Sequence, residues 1–215
     1  MRKALTPSAK SVTVRDPKGL KFLEVAGAAY NKAGLSEEEA QRVNEAGGLA
    51  DLVDTFINER RHPLLQLVGT VRVAGAKKFL AKDYIKEANI GYMWDDFKKN
   101  FLDKVEENVR DAIITVHSLK KNSRDRAIMD HLGQQTQTTL AHFFALLTKQ
   151  SQGQEGILLV GGYVNIAYIQ DKHGKLWAVR ALWNSGRRCW RVSALSVEDP
   201  GGWDAGRQVL SSELS

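Results

Sequence analysis

Apolar residues open the ordered part of the chain at helical spacing. Leu20, Leu23, Ala26, Gly27 and Tyr30 recur every three or four positions, and Gly34 is a natural stop. Ser36 followed by Glu39 is a capping box, which predicts a second helix from about Glu37 to Ala46, broken at Gly47–Gly48. A third helix is expected from Leu49 to about Arg60, with Leu52, Val53, Phe56 and Ile57 on one face and Pro63 beyond its end.

The period then changes to two. Leu65 to Val73 alternates and is β-branched, Gly75 is a turn candidate and Phe79 to Ile85 reads as a return strand, so a hairpin is expected. A short strand at Asn89–Trp94 precedes a helix capped by Asp95 or Asp96, with Phe97, Phe101, Leu102 and Val105 on one face. Ala112 to Leu119, with Ile113, Ile114, Thr115 and Val116 in succession, favours a strand. Helices are expected from Ser123 to Leu132 and, capped by Thr136 or Thr138, through Leu140, Phe143, Phe144 and Leu147.

After the polar linker Ser151–Gly156, three strands follow: Ile157–Gln170, Lys175–Trp183 and Arg188–Val197. Asp171-Lys172-His173-Gly174 and Asn184-Ser185-Gly186 supply the turns, since Gly and Asn tolerate positive φ. Alternation sets Trp177, Val179, Ala181 and Trp183 on one face of the middle strand, and Leu176, Ala178, Arg180 and Leu182 on the other. Trp203, after two glycines, reads as a plug folded back on the sheet, with Asp204 and Arg207 as a local ion pair. The expected fold is therefore α+β: a basic arm over residues 1–16, a helical lead-in over 17–62, and a body over 63–215. That body has a mixed middle and ends in an antiparallel three-stranded meander packed on a helix.

Charge changes the picture only when divided along the chain. The net +6 is concentrated in residues 1–34 and 156–197, each at +5, while residues 35–155 sum to −1. Local patches of this kind attract anions. In the second patch Tyr168, Trp177, Trp183 and Trp190 accompany Arg180, Arg187, Arg188 and Arg191, the residue types for base stacking with phosphate attraction. The competing explanation is aromatic packing with arginine stems laid along a sheet.

Catalytic signatures are missing. The histidines show no HxxxH or HExxH spacing, and no GxSxG, GxGxxG or phosphate-binding glycine loop occurs. His131 and His142, on adjacent predicted helices, are the one pair placed to meet. The lone Cys189 excludes an internal disulfide. No apolar run approaches a membrane span, which leaves a cytoplasmic protein as the expectation.

Several stretches carry a resemblance. GLSEEEAQRVNEAGGLADLVDTFI (34–57), GYVNIAYIQDKHGKLWAV (162–179) and SVEDPGGWDAGRQVLS (196–211) resemble a family of uncharacterised proteins predicted from genomes of uncultivated, reduced-genome bacteria. LVGTVRV (67–73), FLAKD (79–83), DFKKNFLDKVEE (96–107) and TTLAHFFALL (138–147) extend the likeness over most of the chain after Gly34. The segment NSGRRCW (184–190) is richer in arginine than the family's glycine-rich turn. The resemblance implies a shared fold and brings no assigned activity.

The expected function is a non-enzymatic cytoplasmic binding or accessory protein without cofactor or metal. Its candidate surface is Arg180, Trp183, Arg187, Arg188 and Arg191, and its partner an anionic one, a nucleic acid or an acidic protein. Two alternatives stand beside it. One is a hydrolase assembled from Asp95, Asp96, His117 or His142; the other is a protein–protein module using an apolar patch or a free strand edge.

Overall fold

The computed structural model describes residues 17–45, 63–199 and 201–213. The chain divides into two units, Met1–Asn58 and Glu59–Ser215. The expected basic arm and the third helix lie outside the described residues.

In the first unit Pro17 takes the first position of α1 (Pro17–Ala33), where a missing N–H costs nothing, and Gly34 closes the helix at φ 61°. α2 (Glu37–Glu45) starts on the expected capping box. The Ser36 hydroxyl oxygen accepts the Glu39 N–H at 3.3 Å, and the Glu39 carboxylate accepts the Ser36 N–H at 2.8 Å.

The second unit is α+β. Its strands are β1 (Leu65–Val73), β2 (Ala76–Leu80), β3 (Ile90–Met93), β4 (Val105–Val109), β5 (Ala112–Leu119), β6 (Val164–Gln170), β7 (Leu176–Asn184), β8 (Cys189–Ser196) and β9 (Gln208–Glu213). Its helices are α3 (Ala81–Tyr84), α4 (Asp95–Phe101), α5 (Asp125–Leu132) and α6 (Leu140–Lys149). Seven strands form one mixed sheet in the order β1-β5-β9-β6-β7-β8-β3, and β2 with β4 makes a separate ribbon.

One sheet face packs on α6. Phe143, Phe144, Leu146 and Leu147 are buried, because this helix lies between the sheet and the β2–β4 ribbon and is apolar nearly all round. Phe144 meets Phe79 of β2 at 5.3 Å and Phe97 of α4 at 6.3 Å, and the Trp190 indole N–H donates to the Leu147 carbonyl. The opposite face is covered in part by Ile128 and Leu132 of α5 and by Trp203.

Glu106 of β4 secures the start of α6. Its carboxylate accepts the N–H groups of Leu140 at 3.0 Å and Ala141 at 2.8 Å and pairs with Lys104 at 2.6 Å. Negative charge at free helix amides is stabilising, and these bonds are shielded from water. Glu106→Gln keeps one acceptor but removes the charge. We expect it to lower unfolding free energy by about 2 kcal/mol, read from urea denaturation.

Several sequence expectations change, each for a local reason. β1 and β2 do not form a hairpin; β2 pairs with β4 instead. Gly75 runs against the backbone of Val109 and Arg110, where a Cβ would collide, and its N–H donates to Asp111, so the chain leaves the sheet there. Val105 belongs to a strand rather than to the preceding helix, which ends at Phe101. Thr139, not Thr136 or Thr138, caps α6, its hydroxyl oxygen accepting the His142 N–H at 3.2 Å. α5 starts at Asp125, while Ser123 bridges to Trp203.

The strand expected from Ile157 begins only at Val164. Before it, the amide side chains of Gln150 and Asn165 bond the backbone N–H and C=O groups of Leu158 and Leu159 in place of a ladder. β6, β7 and β8 pair antiparallel in sequence order. They do not close the chain as a sheet of their own, however: β3 adds parallel to β8 and β9 adds parallel to β6. Among the described residues no helix is long and apolar enough to cross a membrane.

Candidate anion-binding face

Strand register assembles the site. Leu182 lies opposite Arg191, Arg180 opposite Ser193, and Tyr92 opposite Arg191 across the β3–β8 pair. Side chains two apart share a face, so Tyr92, Trp94, Arg180 and Arg191 all project from the side of the sheet not occupied by α6.

They form a row that crosses the sheet. The Arg191 guanidinium stands 4.6 Å from the Trp94 ring centroid and 5.2 Å from that of Tyr92, and these two rings meet edge-on at 4.7 Å. Arg180 lies between Trp94 and Trp203, at 5.9 and 6.0 Å, and its Nε donates to the Ser193 hydroxyl at 2.6 Å. Arg207 also lies against Trp203, at 5.6 Å, and pairs with Asp204 at 2.6 Å. The order is therefore Tyr92, Arg191, Trp94, Arg180, Trp203, Arg207, with guanidinium planes and rings alternating.

Charge along this row is poorly compensated. Arg180 and Arg191 have no carboxylate partner among the described residues, and the buried Nε of Arg207 has no acceptor. Burial, with the like charge of Arg207 behind it, pushes the Arg180 pKa down. Contact with an aromatic face returns about 0.5–2 kcal/mol per cation, less than a hydrogen-bonded counter-ion gives.

Trp203 is the wall that organises this row. It is 4% exposed, and its indole N–H donates to Asp125 Oδ1 at 2.7 Å, the same oxygen that accepts the Tyr168 hydroxyl at 2.7 Å. Its backbone exchanges two hydrogen bonds with Ser123. Burial raises the Asp125 carboxyl above the usual carboxylate range, opposed by the bonds from Trp203 and Tyr168. Burial, Asp125's charge and its hydrogen bond raise the Tyr168 phenol.

This makes Asp125 a negative contribution to stability at neutral pH. The unfolded carboxyl loses its proton near pH 4, whereas the folded one keeps it to higher pH, so stability falls as pH rises through that window. Asn keeps the accepting oxygen and cannot ionise. The melting temperature of Asp125→Asn relative to the parent is expected to rise as pH increases from about 4 and to level off once the folded carboxyl has lost its proton. A difference independent of pH contradicts the assignment.

The structure separates the sequence-predicted residues. Arg180 and Arg191 come together over Trp94. Trp183, 6% exposed, belongs to the opposite face, where it packs edge-on against Trp190 at 5.3 Å. Arg187 and Arg188 sit exposed in the β7–β8 turn, beyond Asn184 at the end of β7, which lies four residues and about 13 Å along the strand from Arg180. Arg188 adopts φ 51°, and its carbonyl accepts the Asn89 amide. Tyr92, Trp94, Trp203 and Arg207 complete the face. For Tyr92 and Trp94 no sequence signal announced that β3 would pair with β8.

Three of the four residues of the hydrolase alternative are tied to separate partners. Asp95 is fully exposed and pairs with Lys98; Asp96 is exposed on the first turn of α4. His117 bonds the Ser211 hydroxyl at 3.1 Å. His142 bonds Thr139 and the Arg110 carbonyl, so it does not meet His131, whose charge instead acts on His117. Among the described residues no group of three His, Cys, Asp or Glu side chains is placed to hold a metal ion. No protein-family model, curated protein or solved structure matches the chain.

Proposed function

We propose that this protein binds single-stranded nucleic acid, without acting on it chemically, through the Tyr92–Arg207 row. The observation that carries this reading is the alternation of rings with guanidinium groups lacking full counter-charge. A strand of phosphates and bases presents the same alternation, anions for Arg180, Arg191 and Arg207, and flat faces for Tyr92, which is 43% exposed, and for the guanidinium planes. An acidic peptide supplies the anions but not the flat faces. We place the protein in the cytoplasm, as an accessory factor.

Binding of this kind is dominated by release of counter-ions. Fluorescence anisotropy with a labelled 15-nucleotide strand, DNA or RNA, should show affinity falling linearly with the logarithm of salt concentration. The slope is about −0.7 for each phosphate engaged, so the row's three arginines contribute roughly −2 of it. No binding at about 50 mM salt overturns the proposal.

A further inference from the structure

A second cationic cluster lies on the other side of Trp203. The segment Leu119-Lys120-Lys121-Asn122-Ser123-Arg124-Asp125-Arg126 carries four basic residues and one acid. That acid, Asp125, is turned inward to Trp203 and Tyr168, while Lys120, Lys121, Arg124 and Arg126 are exposed. Arg126 is paired with Asp130. Lys120, Lys121 and Arg124 have no carboxylate partner among the described residues. The fold thus turns the segment's own acid inward and leaves its four basic residues at the surface.

An open cavity of about 760 Å³ joins this cluster to the row. It is lined by Ser123, Arg124, Arg126 and Trp203, and by Asp130 and Asp204, the carboxylates paired with Arg126 and Arg207. Trp203 is therefore a shared wall: Arg180 and Arg207 lie against its ring, and the cavity with Arg124 opens beside it. We infer that a bound polyanion does not stop at Arg207 but crosses the rim at Trp203 and continues over Arg124 and Lys121. This inference rests on the proposed nucleic-acid reading and extends it to the length of the ligand. From β3 to β9 the row spans four strand spacings, roughly 19 Å. That is about six nucleotides at the stacked spacing of 3.4 Å per phosphate. The rim and cavity add several more, so the ligand is a chain well beyond a mononucleotide.

The test compares oligo-dT strands of 5 and 15 nucleotides on the parent and on the Lys121→Ala/Arg124→Ala double variant, with anisotropy as the readout. Both replaced side chains are exposed, and circular dichroism checks that the variant folds. The variant is expected to bind the 15-mer about fivefold or more weakly and with a salt slope shallower by about 1.4, while its affinity for the 5-mer is unchanged. Equal 15-mer affinity and slope in parent and variant overturn the extension and leave the row intact as a binding site. A loss of the same size for both lengths also overturns it, since the cluster would then belong to the short site. Failure of the parent to bind either strand at low salt overturns the underlying reading as well.

Discussion

Arg180→Glu is expected to remove most binding of a single-stranded oligonucleotide while leaving the protein folded. Arg180 is central to the row, half-buried between Trp94 and Trp203, with only the Ser193 hydroxyl as a hydrogen-bond partner among the described residues. Truncating one member of a desolvated charge pair costs about 2–5 kcal/mol of binding, roughly 30-fold to several-thousand-fold, and a carboxylate adds repulsion from phosphate. Arg180→Lys keeps the charge but loses the planar fork that fits between two rings, and is expected to fall in between. Stability should change little, because the substitution removes a like-charge neighbour of Arg207. Arg187→Ala/Arg188→Ala, in the exposed turn, should weaken binding only slightly. The reverse ranking, with the turn arginines dominant, moves the site away from the face.

Trp203→Ala is expected to be the most destabilising of these substitutions, by about 3–5 kcal/mol. It empties the space between Arg180 and Arg207 and leaves Asp125, a buried carboxylate, with the Tyr168 hydroxyl as its remaining side-chain donor. A loss of this size lowers the melting temperature by about 10 °C for a domain of this length. Trp203→Phe fills much of the space but donates no hydrogen bond, so its loss should be smaller, about 1–2 kcal/mol. Calorimetry or urea denaturation gives the comparison. Parity between Ala and Phe shows that the hydrogen bond, not the ring volume, fixes the wall.

The sequence was most readable where the governing physics is local. The Ser36–Glu39 box, the strands Leu65–Val73 and Ala112–Leu119, and the turns at Gly174 and Asn184 depend on residues a few positions apart, and each stands where spacing placed it. The two-residue period separated Arg180 from Trp183 as well, yet grouping them by residue type in one surface ran against it. What spacing does not encode is partner choice. Tyr92 and Trp94 enter the face only because β3 lies beside β8, about 100 positions away. Asp125 is enclosed by Trp203 and Tyr168, and no count of charges by segment reveals that. Averaging residues 35–155 to near neutrality likewise concealed the basic run at Lys120–Arg126.

β9 occupies the middle of the sheet, between β5 and β6, although it follows every other strand of the described residues in sequence. Without it, β1–β5 and β6–β7–β8–β3 share no ladder. During synthesis the two parts therefore wait as separate fragments, each with open strand edges, until residues 208–213 have left the ribosome. Pairings this distant in sequence are slow to find, and exposed edges invite association with other chains in the meantime. Closure of the seven-stranded sheet is a single late insertion, and the nascent chain is at its most vulnerable immediately before it.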